Sequence, residues 1–158
     1  MTGFDYQAGI LRAYAGELIG EGFFARLLDT IDEPERQRKL ALLLRLETSV
    51  RGYIEPLLNR YRLTLPDARR YRAEGAEQAA VLANWDDFIA KMLVWIPPIE
   101  ARYQGFLDGG PQEDRQWLEL LARHEGLLMQ FALEEQGAGA GASLQEIQRM
   151  IEEIAFGH

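Results

Sequence analysis

Between Ala13 and Leu28 the chain reads AYAGELIGEGFFARLL, an apolar pattern at helical spacing with two carboxylates in its middle. At about 100° per residue, Ile10, Tyr14, Glu17, Glu21, Phe24 and Leu28 share one stripe. Ionised carboxylates are almost never buried unless paired or bound to something. The segment is also apolar away from that stripe, at Ile19, Phe23 and Leu27, so the helix needs neighbours on more than one side. Gly16, Gly20 and Gly22 each lower helix propensity by up to ~1 kcal/mol relative to Ala, and they admit a close backbone. Such a helix is central, and its neighbours must answer its carboxylates.

The rest of the chain supplies further helices. The first is expected over about Tyr6 to Thr30. Asp32 is a plausible cap and Pro34 a first-turn residue for a second helix, which runs to about Arg60. Its stripe is Leu40, Leu44, Glu47, Arg51, Ile54 and Leu58. Glu47 precedes Arg51 by four residues, the favourable order for an ion pair. Pro56 should kink or divide this helix. Residues 62 to 75 read as a long connection with at most a short helical piece. A third helix is expected from about Glu77 to Phe106, with Val81, Trp85, Phe88, Met92, Trp95, Ile99, Tyr103 and Phe106 inward and a break near Pro97-Pro98. The fourth runs from about Gln112 to Glu135, with Trp117, Leu121, His124, Leu128, Phe131 and Glu135 on its stripe. A flexible hinge at 136–142 follows. Ser143-Leu144-Gln145-Glu146 has the form of a capping box for a short last helix, 143–156. No strand pattern of useful length occurs, and one domain spanning 1–158 is the expectation.

Composition narrows the function classes. The formal net charge of −8 argues against nucleic-acid binding. Residues 35 to 72 nonetheless hold ten of the seventeen Lys and Arg against four acids, which reads as helix faces that are solvated or meet acidic surface elsewhere on the molecule, with a phosphate-bearing partner as the lesser alternative. No run of about 18 uncharged apolar residues suggests a membrane span, and MTGFDYQAG lacks the form of a secretory leader. The absence of cysteine removes thiolate catalysis, thiolate metal sites and disulfides, and makes a cytoplasmic location the default expectation. There is no phosphate-binding loop, no dinucleotide fingerprint and no serine elbow. His124-Glu125 is not a zincin motif, because no second His follows at the required spacing.

What remains is a polar set on otherwise apolar helix faces: Glu17 and Glu21, Glu47 and Arg51, and His124, with Glu100 about 80° off its stripe. Four helices, a long second-to-third connection and inward carboxylates with a His resemble the ferritin-like superfamily of carboxylate-bridged di-iron proteins. The phrases GELIGE, LRLE and HEGLLMQFALEE are also similar to a set of bacterial proteins without assigned function. The resemblance implies an all-α, ferritin-like four-helix bundle with a short fifth C-terminal helix. It assigns Glu17 or Glu21, Glu47, Glu100 and His124 to ligand positions. Val50 and Leu121 stand where the family's pattern has its other His and Glu, so a complete di-iron set is not expected.

Two functional expectations follow. In the first, Glu17, Glu47, Arg51 and His124 form a metal-free buried polar network, and the protein is an interaction or small-ligand-binding module acting as a homodimer. A lone His on an apolar helix face is ordinarily a satisfied core residue, which favours this reading. In the second, Glu17, Glu47 and His124, completed by Glu21 or Glu100, hold a single iron, manganese or zinc ion in a non-haem oxidoreductase.

Overall fold

A computed structural model describes residues 3–138 and 141–157. Six α-helices account for most of them: α1 Gly3–Thr30, α2 Pro34–Arg60, α3 Ala68–Ala80, α4 Trp85–Gly109, α5 Arg115–Leu133 and α6 Ser143–Phe156. There is no strand among the described residues. Short turns fold α1 back on α2 and α4 back on α5, α3 lies on α1, and α6 packs on α2 and α5. Among the described residues no helix is long and apolar enough to cross a membrane.

The buried apolar side chains form one cluster running through all of these helices. Leu40, Leu43, Leu46 and Val50 of α2, Phe88 of α4 and Leu118 and Phe131 of α5 are almost wholly enclosed. One end is tied by Asp114, which has no solvent exposure. Tyr6 at the start of α1 and Tyr61 just past α2 both donate to its Oδ2, at 2.9 and 2.5 Å, and Arg60 Nε lies 3.3 Å from Oδ1. A buried carboxylate is tolerable on such terms, with hydrogen bonds and a cation together.

Several expectations change. The connection at 62–75 is shorter, because α3 occupies Ala68–Ala80. Asp67 starts it by accepting from the backbone N–H of Arg69 and Arg70. It carries little apolar periodicity because its contact with α1 runs through glycine. A Cβ on Gly75 would stand 1.9 Å from the Ile19 carbonyl oxygen, and one on Gly22 the same distance from that of Arg72. The third expected helix therefore begins at Trp85 rather than near Glu77. Asn84 Oδ1 accepts from Asp87 N–H while Asp87 accepts from Ala83 N–H, a reciprocal cap. Val81, expected inward, sits between α3 and α4 and is 79% exposed. Pro97 and Pro98 do not divide α4, and Pro56 does not divide α2; all three face solvent, where a carbonyl left without its helical partner meets water.

The fourth expected helix is a 3-10 turn at Gln112–Asp114, then α5, then a wide turn at Glu134–Ala138 that ends with Gly137 at φ 93°. The expected hinge overlaps that turn and Gly141 at φ 80°, and its residues 139 and 140 lie outside the described residues, as does His158. The capping box at Ser143 does not form. Ala142 is the cap residue, and Ser143 instead gives both its N–H and its hydroxyl to Glu134, pinning α6 to the end of α5.

Candidate metal and ligand site

α1, α2 and α5 bring Glu17, Glu47 and His124 together in the interior, and all three are buried. His124 donates from Nδ1 to the Leu121 carbonyl at 2.7 Å. With that proton fixed, Nε2 of a neutral ring presents a lone pair. It faces Glu17 Oε1 at 2.9 Å, Glu125 Oε1 at 3.3 Å and Glu47 Oε2 at 3.9 Å. Among the described residues Nε2 has no hydrogen-bond partner, and neither does Glu17 Oε2. A lone pair 2.9 Å from a carboxylate oxygen is repulsive unless a proton or a cation stands between them. Tyr103 lies nearly parallel to the imidazole, 6.2 Å between ring centroids at 27°, and holds its plane.

Gly20 lets Glu47 in. A Cβ there would lie 2.9 Å from the Glu47 carboxyl carbon. Burial pushes the Glu17 carboxyl up to about 8, with the Glu125 and Glu21 charges adding to the rise and a hydrogen bond from Glu47 opposing it. Burial likewise raises Glu125 to about 7, and Glu47 well above the usual carboxylate range, where the neighbouring Glu17 charge pushes the same way. The Tyr103 phenol is raised by burial and then by the same three carboxylates. The cluster is a dry concentration of negative charge that protons or a cation must offset.

Arg51 offsets it only from a distance, its charge easing the rise at Glu17 without contact. It was expected on Glu47, one turn before it, but its Nε lies 2.8 Å from Glu21 Oε1. Glu47 turns inward over Gly20, whereas Arg51 remains partly exposed at the α1–α2 seam and also donates to the Tyr14 hydroxyl. Glu21 is consequently no ligand candidate: Arg51, Arg72 at 3.3 Å and the Thr48 hydroxyl at 2.6 Å occupy its carboxylate. The expected four-residue network thus divides into an ion-paired group at Glu21 and an unpaired group at His124. Glu100 is half-buried beside the second group. Its charge raises Glu125, and its Oε2 lies near Gly126, but it is outside the triangle around Nε2.

Glu125 was missed by the stripe reading, which gave this helix a single inward direction. α5 meets neighbours on two sides, so consecutive residues 100° apart both face the interior. The available signal was a carboxylate adjoining a stripe histidine, in the otherwise apolar run that follows.

The donors suit one ion. Single ligand atoms from Glu17, His124 and Glu125 all lie within 4.8 Å of one another. Ligands at about 2.1 Å from a common ion stand roughly 3–4 Å apart, and a neutral imidazole anchored through its other nitrogen is the usual form of a ligating histidine. Carboxylate oxygens with one imidazole suit manganese, iron or zinc.

A cavity of about 720 Å³ leads to this group. Glu47, Glu125 and Tyr103 contribute to its lining, beneath walls from α1 and α4 that include Phe23, Phe24, Met92 and Trp95. α3 covers another side with Tyr71, Glu74 and Gln78. Comparison with protein-family models, curated proteins and solved structures finds no match to this chain.

Proposed function

We propose that the protein binds one divalent transition-metal ion through Glu17, His124 and Glu125, with Glu47 beside them, and uses it as a non-haem oxidoreductase on a small molecule held in the adjoining cavity. The observation that carries this reading is the His124 ring, anchored by Leu121 and aimed with a bare nitrogen into three buried carboxylates that no arginine reaches. It supports the second expectation over the metal-free network, because the guanidinium on which that network depended is engaged elsewhere. The arrangement of inward carboxylates and a His on packed helices is ferritin-like, with a reduced ligand set.

Iron or manganese held there would supply Lewis acidity and access to one-electron chemistry at the cavity floor, whereas zinc would supply Lewis acidity alone. The chain's own contributions are separable. Leu121 fixes the imidazole tautomer, Tyr103 fixes the ring plane, and Gly20 admits Glu47. Burial raises the proton affinity of Glu17 and of Glu47 beside it, so a proton is held within the cluster. The aromatic walls exclude water from a bound molecule.

The deciding experiment is elemental analysis of protein expressed with added iron, manganese and zinc, without a histidine tag. One ion per chain is expected, lost in His124→Ala and Glu17→Gln and retained in Glu21→Gln. Folded wild-type protein without metal would overturn the reading and leave the proton-holding cluster as a ligand-binding module.

A homodimer belongs to the same proposal. Ala90, Val94, Pro97, Pro98 and Ala101 form an exposed, uncharged strip along α4. In a chain with this much surface charge, such a strip suits a two-fold contact with a second copy.

A further inference from the structure

The cavity has two chemically different ends. α1 and α4 face each other across it in opposite directions. A Cβ on Gly9 would strike the Phe106 ring, one on Gly16 would lie 3.7 Å from the Tyr103 hydroxyl, and the Phe23 and Trp95 rings are 5.5 Å apart. Arg12, between Gly9 and Gly16, and Arg102, next to Tyr103, therefore belong to one end. Phe23, Phe24, Met92 and Trp95 belong to the other. Glu47, set against Gly20, lies between them.

Neither arginine has a hydrogen bond or ion pair among the described residues. Arg102 is half-buried, and its charge lowers the proton affinity of Glu125 and Tyr103 from a distance without engaging either. Elsewhere the guanidiniums that reach into the interior are paired, as Arg51 and Arg72 are to Glu21. The exposed guanidinium of Arg12 and the half-buried one of Arg102 stand unengaged at one end of the cavity, whose lining carboxylates are the exposed Glu74 and, deeper, the buried Glu47 and Glu125; the two arginines form an oxyanion-recognising rim.

We infer that the cavity takes an amphiphilic oxyanion: an aliphatic or aromatic body along Phe23, Met92 and Trp95, with a carboxylate or phosphate head on Arg12 and Arg102. The head then lies on the arginines rather than on the metal ligands, and the middle of the molecule passes over Glu47 and Glu125, which line the cavity. This rests on reading the cavity as a ligand site, but not on the metal being bound. A volume of about 720 Å³ suits a molecule of modest size.

The test is calorimetric titration with octanoate, octyl phosphate, octanol and octylamine. The proteins are metal-loaded wild type, the double variant Arg12→Gln/Arg102→Gln, and the site variants His124→Ala and Glu17→Gln. At least one of the two oxyanions should bind tenfold or more tightly than octanol, and the better head identifies the class. That advantage should disappear in the double arginine variant and persist in whichever site variant folds. The inference is overturned if octanol or octylamine binds as well, if the advantage survives loss of both arginines, or if it vanishes with the site variants, which would put the head on the metal. Absence of binding by all four probes also overturns it, with metal content unaffected. Conversely, wild-type protein without metal that keeps the advantage removes the metal reading alone.

Discussion

Glu17 holds its proton because folding removes it from water, and that has a direct consequence for the metal-free protein. Its carboxyl rises from an ordinary 4.5 to about 8, and Glu125 rises to about 7. Between those limits the folded state retains protons that the unfolded chain releases, so stability falls as pH rises. The contribution is fully present below about 4.5 and lost as pH climbs through the folded values. Denaturant midpoints of chelator-treated protein at pH 5, 6, 7 and 8 should decrease in that order. A flat or rising series would mean that the three carboxylates are already satisfied. Metal binding displaces the same protons, so affinity should strengthen across the same interval. Glu125→Gln, which removes one donor and one buried charge, should weaken metal binding while raising the stability of the metal-free protein at pH 8. Parallel metal titration and denaturation read both effects.

Among the elements, α3 is the one whose seating depends on atoms that are missing. Gly75→Ala places a methyl 1.9 Å from a backbone oxygen of α1, which no side-chain rotation relieves. A loss of about 1–3 kcal/mol is expected by denaturation. Gly52→Ala is the contrasting case: it sits on the exposed face of α2 with open space around it, and should add up to ~1 kcal/mol. The contrast also explains what could be read from residues alone. α1 and α2 announced themselves because they bury Leu, Ile and Phe at helical spacing, and their ends fell close to the expected ones. α3 did not, because glycine and alanine carry its contact and hydropathy does not register a missing side chain. The same limit applied to the cluster. Glu17, Glu47 and His124 stood out as polar residues within apolar stripes, but the partner of Arg51 depended on the distance between α1 and α2, which spacing along one helix does not contain. Glu125 depended on α5 having two buried sides.

For the whole molecule, the buried cluster ties the two ends of the chain together, with Glu17 on α1 and Glu47 on α2 meeting His124 and Glu125 on α5. An ion there would stabilise the folded state by mass action. Wild-type protein should gain thermal stability with added metal, and His124→Ala should not. The α4 strip makes a separate prediction: Val94→Glu should convert a dimer to a monomer in light scattering without changing metal content. Finally, Arg72 reaches across from α3 to Glu21 with 45% of its side chain in solvent. Glu21 at its other end is only 7% exposed, so ordinary electrolytes screen the pair in part, from the arginine side, whereas the glycine contact beside it is indifferent to them. α3 is one wall of the cavity, so ionic strength becomes a control on traffic: small molecules should enter and leave faster in concentrated salt than in dilute buffer, at little cost to the fold.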